Sequence, residues 1–145
     1  DLIDLRLACH PVRLVADYEK HARYSQPLVA PVQMLPNHVK EGLRGKKVYD
    51  YGLAVESDSF SVFETHCIVP APLVAAYALA VAASGGATRI LLAGFDGFPA
   101  GDMRNDEMLN VLERFVEGSD HPPVIAITPT NYGAVETQSI YGMMR

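Results

Sequence analysis

Polar side chains cluster where a run of Val, Ile and Leu ends and a turn begins. The clearest case is residues 94–98, Gly-Phe-Asp-Gly-Phe, in which Asp96 stands between two glycines. Because glycine carries no side-chain bulk, the carboxylate of Asp96 can face a ligand hydroxyl or a cation. The alternative is that Asp96 only ties down its own turn by hydrogen bonding to nearby backbone amides. The sequence leaves both interpretations open.

A second polar group follows the last apolar run, at residues 128–132, Thr-Pro-Thr-Asn-Tyr. The hydroxyls of Thr128 and Thr130, the amide of Asn131 and the phenol of Tyr132 suit neutral sugar-like or nucleotide-like groups. The same residue types are also ordinary turn formers. Their position after a strand favours a site lining.

Two Cys/His pairs, Cys9-His10 and His66-Cys67, supply the ligand types of tetrahedral zinc. Neighbouring residues of a strand point to opposite faces, so neither pair can readily chelate one ion. We therefore predict a buried cysteine beside a partly exposed histidine in each pair, and no metal. The chain also lacks a phosphate-binding P-loop, a G-x-S-x-G turn and an H-E-x-x-H pair. No cofactor and no catalytic residue are predicted.

The elements that must position these residues alternate between apolar runs and amphipathic segments, the pattern of a mostly parallel sheet with helices on its faces. We predict a Rossmann-like three-layer α/β sandwich with a sheet of about five strands. The strands are expected at residues 2–9, 27–32, 46–51, 88–93 and 123–127, and the helices at residues 11–21, 36–43, 72–84 and 103–117. Residues 52–67 are predicted to be a long excursion and residues 128–145 an irregular tail. Ligands of such sheets bind beyond the carboxyl ends of the strands.

Two predicted elements are apolar on nearly every side, the helix at residues 72–84 and the strand at residues 88–93. We expect both at the centre of the molecule, with the strand covered on both faces. The helix at residues 103–117 is expected to be capped by Asp102. Its apolar face is predicted to comprise Met108, Leu112, Phe115 and Val116.

Composition limits the classes of function. The chain has 145 residues, of which 49% are hydrophobic, so one domain spanning residues 1–145 can bury a core. A net charge of −5 with scattered basic residues argues against nucleic acid and anionic membranes. The apolar stretch at residues 68–83 contains two prolines and is shorter than the roughly 20 residues of a membrane span. Two cysteines favour a reducing, cytoplasmic setting. The chain begins at Asp1 without a Met, which indicates a piece of a longer protein.

Residues 68–98 resemble the core of a wider Rossmann-like group, with Gly94, Asp96 and Phe98 matching its G-x-D-x-aromatic turn. That group includes small bacterial CMP-sialic-acid-dependent sialyltransferases and 6-hydroxymethylpterin diphosphokinase-like domains. Residues 102–107, 127–132 and 139–142 resemble, more particularly, the C-terminal domain of aldolase-like proteins of the HMG-CoA-lyase type. These are often labelled 4-hydroxy-2-oxovalerate aldolases and belong to surface-polysaccharide pathways.

The resemblance implies a domain that binds a small sugar or nucleotide beside an N-terminal aldolase-like domain of the same protein, with the catalytic barrel outside this chain. The implied site lining is Asp96, Arg104, Asn105, Thr128, Thr130 and Tyr132, in which Arg104 offers a positive charge to a carboxylate or phosphate. Two alternatives remain. One is transfer from a nucleotide-activated sugar, with His66 or His10 as the base. The other is a structural module that forms a homo-oligomer partly through the helix at residues 72–84.

Overall fold

The computed structural model describes residues 2–118 and 120–143, which form a mixed α/β fold. Within these residues there are nine short strands, five α-helices and a 3-10 turn at Val32–Met34. The strands are β1 Arg6–Leu7, β2 Leu28–Ala30, β3 Val48–Asp50, β4 Gly52–Val55, β5 Ser61–Val62, β6 His66–Val69, β7 Ile90–Leu92, β8 Val124–Ala126 and β9 Glu136–Thr137. The helices are α1 Pro11–Arg23, α2 Asn37–Gly42, α3 Val74–Ser84, α4 Met103–Glu117 and α5 Ile140–Met143.

The described strands form three three-stranded sheets rather than one sheet of about five strands. The orders are β1-β2-β3, all parallel, β4-β6-β5, with β5 antiparallel to β6, and β7-β8-β9, all parallel. The sheets divide because the chain changes partner at Tyr51. The Tyr51 amide donates to the Ala30 carbonyl at 3.2 Å, whereas the Gly52 amide donates to the Thr65 carbonyl at 2.8 Å.

Residues 52–67, predicted to be a long excursion from the sheet, instead form regular strands. This segment contains β4, β5 and the first residues of β6. The turn between β4 and β5 includes Asp58 with φ of 62°, a left-handed conformation that its short polar side chain tolerates. The strands on either side are too short for an alternating pattern to be visible in the sequence. The tail prediction is also corrected, since β9 and α5 lie within residues 128–143.

Helix α3 forms the centre of the main core, as its apolar sequence predicts. It begins at Val74 rather than at residue 72, and Gly86 with φ of 77° follows its end. Tyr77 is fully buried and donates from its hydroxyl to the Tyr51 carbonyl at 2.5 Å, which joins the helix to the switch between β3 and β4. The helix face is covered by this chain itself, with Ala75, Ala76, Tyr77, Leu79 and Ala80 all buried.

The prediction that residues 88–93 form a central strand is wrong. Among the described strands β7 pairs with β8 alone, and β8 holds the middle position of its sheet. Leu91 is also 42% exposed, so the strand is not covered on both faces. An edge strand can carry a continuous apolar run when its neighbours bury only part of it, so composition alone did not distinguish the two positions.

Helix α4 matches its predicted bounds and its predicted cap. The Asp102 carboxylate accepts from the Arg104 amide at 3.0 Å, which satisfies one of the free N–H groups of the first turn. The face against the core carries Val111, Leu112 and Phe115, all fully buried. The prediction for Val116 is wrong, because it lies at the edge of that face and is 49% exposed.

A smaller core lies between α1, α2 and β2, where Leu14, Leu28 and Val39 are fully buried. Burying an aliphatic side chain of this size contributes roughly 1.5–3 kcal/mol, so this cluster holds α1 firmly against the β1-β2-β3 sheet. No helix in the part of the chain that the structure describes is both long and apolar enough to cross a membrane.

Candidate functional site

The carboxyl ends of β1, β6, β7 and β8 converge beside the first turn of α3. The Cys9 thiol, just after β1, donates to the carbonyl of Pro72, just after β6, with an Sγ to O distance of 3.9 Å. Two cavities flank this point, and Val74 at the start of α3 lines both of them. Of the residues predicted to line the site, Asp96 and Tyr132 line one of these cavities, whereas Arg104, Asn105, Thr128 and Thr130 do not. The other cavity includes His10 but was not predicted from the sequence as a binding site.

The first cavity, which we call the Asp96 cavity, has a volume of about 330 Å³. Its lining combines the turn after β7 with side chains from three other elements: Gly94, Phe95, Asp96, Gly97, Phe98, Val74, Ala75, Met108 and Tyr132. Gly94 and Gly97 have φ values of 75° and 106°, conformations that favour glycine. The turn between them can therefore present both Asp96 and two aromatic rings to the same space.

The Asp96 carboxylate is exposed and makes no hydrogen bond or ion pair with any residue that the structure describes. The turn is held instead through its backbone, because the backbone N–H of Asn131 donates to the backbone carbonyl of Asp96 at 3.1 Å. The side chain of Asp96 is thus not used to tie down its own turn. Its two carboxylate oxygens remain available to accept hydrogen bonds from a ligand.

Asn105 on α4 holds the turn that carries Asp96. Its amide nitrogen donates to the carbonyls of Phe98 and Pro99 at 2.9 and 3.1 Å, and its Oδ1 accepts from the Phe98 amide at 2.8 Å and from the Tyr132 hydroxyl at 3.3 Å. These four bonds use both donors and both acceptor positions of the side-chain amide. Asn105 therefore positions the turn, and its bonding capacity is filled without a ligand.

Tyr132 forms the floor between the two polar loops. It is buried, and burial raises the pKa of its hydroxyl. The hydroxyl of Thr130 accepts from the Tyr132 amide at 3.2 Å, and the hydroxyl of Thr128 accepts from the Gly94 amide at 2.9 Å. These two bonds join the loop after β8 to the turn after β7 and order its own backbone, and neither threonine lines the Asp96 cavity.

Arg104 does not line the Asp96 cavity. Its Nη2 lies 2.5 Å from the Asp102 carboxylate, and its guanidinium carbon lies 4.2 Å from the centroid of the Phe98 ring. The hydrogen bond from Arg104 lowers the pKa of Asp102 to about 2. The positive charge expected near the crevice is thus paired with a carboxylate of the same helix terminus.

The second cavity, which we call the α1 cavity, has a volume of about 430 Å³ and opens between the carboxyl end of β1 and the starts of α1 and α3. One wall is polar and consists of His10, Arg13, Asp17 and His21, and the other is largely apolar and includes Leu7, Ala8, Pro72, Leu73 and Val74. The signal that could have found it is the spacing of four between residues 13, 17 and 21, which places them on one face of a helix.

The Cys/His pairs are arranged as predicted for a structural role. Cys9 and Cys67 are buried, and burial raises the pKa of both thiols, that of Cys67 to about 12. His10 and His66 are exposed. His66 lies at the amino end of β6, on the side of the sheet away from the crevice, and its ring stacks on Phe63 with centroids 4.5 Å apart. No group of three metal-binding side chains occurs within residues 2–118 and 120–143.

Comparison of the chain with protein-family models, with curated proteins and with solved structures finds no match in any of the three. The family resemblance therefore rests on the motif residues of the chain itself. Function has to be inferred from the geometry and chemistry of the two cavities.

Proposed function

We propose that the chain binds a small hydroxylated ligand, a sugar or the sugar portion of a nucleotide, in the Asp96 cavity. The observation that carries this proposal is the unpartnered carboxylate of Asp96 at the carboxyl end of β7. A carboxylate accepts strong hydrogen bonds from neighbouring ligand hydroxyls, and in a cleft it competes with water more effectively than on an open surface.

The other walls of the cavity support a sugar-like ligand. Phe95, Phe98 and Tyr132 supply ring surface, which can cover the apolar C–H face of a sugar or stack on a base. Most polar atoms around them are already bonded to one another. Ligand specificity would then depend mainly on Asp96.

We also propose the wider setting that the motif resemblance implies. In this setting the three sheets belong to a Rossmann-like domain at the C-terminal end of an aldolase-like lyase of surface-polysaccharide metabolism, working in the cytoplasm. The N-terminal aldolase-like domain would contain the catalytic barrel, and this chain would hold a ligand or regulate that domain. Support comes from the G-x-D-x-aromatic turn at Gly94, Asp96 and Phe98 and from the parallel pairing of β7 with β8.

The test is a calorimetric titration of a panel of neutral sugars and of CMP, CDP and UDP into the chain and into Asp96→Asn. Removing the carboxylate charge should weaken a bound ligand at least about tenfold, because a charge-assisted hydrogen bond is lost. Asp120→Asn is the matched control, since Asp120 is exposed and lines a different cavity with Phe63 and Ser84. The proposal fails if no ligand of the panel saturates, or if Asp96→Asn binds as tightly as the unmodified chain.

Transfer from a nucleotide-activated sugar is a second candidate function, and one observation favours it over a purely structural role. His10 lies at the carboxyl end of β1 and lines the α1 cavity, where a base could reach a ligand held in the crevice. His66 lies at the opposite end of its strand and cannot serve there. Release of free CMP from CMP-sugars by the chain, lost in His10→Ala, would support transfer. Unchanged release in the variant, or none from the unmodified chain, would exclude His10 as the base.

An oligomer formed through the helix at residues 72–84 has less support. Helix α3 buries its face within the same chain, and Val74 at its first position is the exposed exception among its large side chains. A homo-oligomer would need another surface. The solution mass of the chain, measured by light scattering, tests whether one forms at all.

A further inference from the structure

The α1 cavity has a charge pattern suited to one negative group. Arg13 is exposed and makes no hydrogen bond or ion pair among the residues that the structure describes, although its charge is one of several that lower the pKa of Asp17, after the main effect of Lys20. The carboxylate in the same wall, Asp17, is already paired with Lys20, whose Nζ lies 2.6 Å from Oδ1. The wall therefore offers one unneutralised positive charge in a fork that matches a planar anion.

His21 supplies a second polar group to the same wall. Its Nδ1 is buried and has no hydrogen-bond partner within the described part of the chain. Burial lowers the pKa of His21, and the charge of Arg6 lowers it further, so the imidazole is neutral near pH 7. A neutral imidazole can donate or accept one hydrogen bond, but it adds no charge to that of Arg13.

The opposite wall is apolar and comes from Leu7, Ala8, Leu73 and Val74. A lone phosphate dianion would face this surface without polar partners for most of its oxygens, and its two negative charges would meet only the charge of Arg13, with the carboxylate of Asp17 in the same wall. A carboxylate is a monoanion, and its hydrocarbon part can occupy apolar space.

We propose that the α1 cavity binds a small organic acid, with Arg13 pairing the carboxylate and the apolar wall covering the hydrocarbon part. This inference concerns a second site, and it stands whether or not the Asp96 cavity binds a sugar. The cavity extends along α1 from His10 to His21 in its last turn, and the N-terminal end of α3 faces it with partial positive charge.

The ligand part of the test uses acetate, butyrate and hexanoate, followed by chemical-shift changes in the chain on titration. Affinity should rise along the series, by up to about fourfold for each methylene that enters the apolar space. Hexanamide has nearly the same shape without the charge and should bind at least about tenfold more weakly than hexanoate. Inorganic phosphate should bind more weakly than hexanoate.

The protein part of the test compares Arg13→Gln with Arg23→Gln. Both changes remove one positive charge from α1, but Arg23 is exposed, lies 3.8 Å from the carboxylate of Glu19 and does not line the cavity. Arg13→Gln should weaken hexanoate binding at least about tenfold, whereas Arg23→Gln should leave it unchanged. Both positions are exposed, so both variants should fold.

Four results would each overturn the proposal: no saturable hexanoate binding, equal binding of hexanoate and hexanamide, tighter binding of phosphate than of hexanoate, or equal loss in the two arginine variants. The last result would reduce binding to a general effect of net charge. The Asp96→Asn variant should bind hexanoate normally, so failure of the sugar site and failure of this site give different patterns.

Discussion

Asn105→Ala should release the turn that presents Asp96. The substitution removes the four hydrogen bonds that join α4 to Phe98, Pro99 and Tyr132. Leaving the hydroxyl of buried Tyr132 without its partner costs about 1–3 kcal/mol, and each bond to the turn contributes about 0.5–1.5 kcal/mol. Water can replace part of the loss because Pro99 is exposed. The expected loss in the free energy of unfolding is therefore about 2–4 kcal/mol.

Asn110→Ala is the matched control for this prediction. Asn110 lies on the same helix, is half-buried and makes no side-chain hydrogen bond within residues 2–118 and 120–143, and the control exchanges the same two residue types. Urea denaturation measures the global effect, and hydrogen exchange at the Phe98 amide measures the local one. If Asn105→Ala unfolds within about 0.5 kcal/mol of Asn110→Ala, and Phe98 exchanges no faster, the assignment of Asn105 as the clamp is refuted.

Three further predictions concern the scaffold. Asp102→Asn should destabilise the chain at neutral pH, because the bond with Arg104 lowers the pKa of Asp102 from 3.8 to about 2. The stabilisation from the ionised carboxylate is present above pH 3.8 and is lost as the pH falls toward 2. If the urea midpoints of the two proteins differ by the same amount at pH 7 and at pH 2, this prediction is contradicted. Tyr77→Phe leaves the Tyr51 carbonyl without its buried donor and should cost about 1–3 kcal/mol in thermal or urea unfolding, and an unchanged midpoint would show that the bond contributes nothing. The Cys67 thiol, with its pKa raised to about 12, should react with a disulfide reagent at about pH 8 only after denaturation, and prompt stoichiometric reaction of the folded chain would show that the site is open.

The sequence predicted elements best where one local signal decides the structure. Helix α4 has a capping carboxylate at Asp102 and a periodic apolar face, and its bounds agree with the prediction. Helix α3 is recognisable from its run of alanine, valine and leucine and from the glycines at its end. In both cases the signal lies within about four turns of chain, so no tertiary information was needed.

The division into three sheets was not predictable in this way. It depends on the change of hydrogen-bond partner at Tyr51, where the strand leaves β2 and joins β6. No residue type marks such a change, because the backbone remains extended on both sides of it. The edge position of β7 was not predicted for a related reason. An apolar run indicates that some of its side chains are buried, but it does not indicate how many strands lie beside it.

The sequence indicated which two turns would meet, but not the roles of their residues. The rule that ligands bind beyond strand ends selected Asp96, Thr128 and Tyr132, and the structure brings the turns after β7 and β8 together. Arg104 and Asn105 were selected by the family resemblance. In the structure the side chain of Arg104 is bonded to Asp102, and that of Asn105 is bonded to the backbone of the turn. Side-chain pairing of this kind depends on rotamers, which the sequence does not display.

The internal bonds of the site bear on its function. Hydrogen bonds join the turns after β7 and β8 without using the Asp96 carboxylate. The Thr128 hydroxyl accepts from the Gly94 backbone amide, the Asn131 backbone amide donates to the Asp96 carbonyl, and the Tyr132 hydroxyl donates to Asn105. These turns are already ordered before a ligand binds Asp96. The binding free energy therefore does not include an entropy cost for ordering them. A fixed frame around one unpaired carboxylate is more consistent with recognition than with a turn that merely connects a strand to a helix.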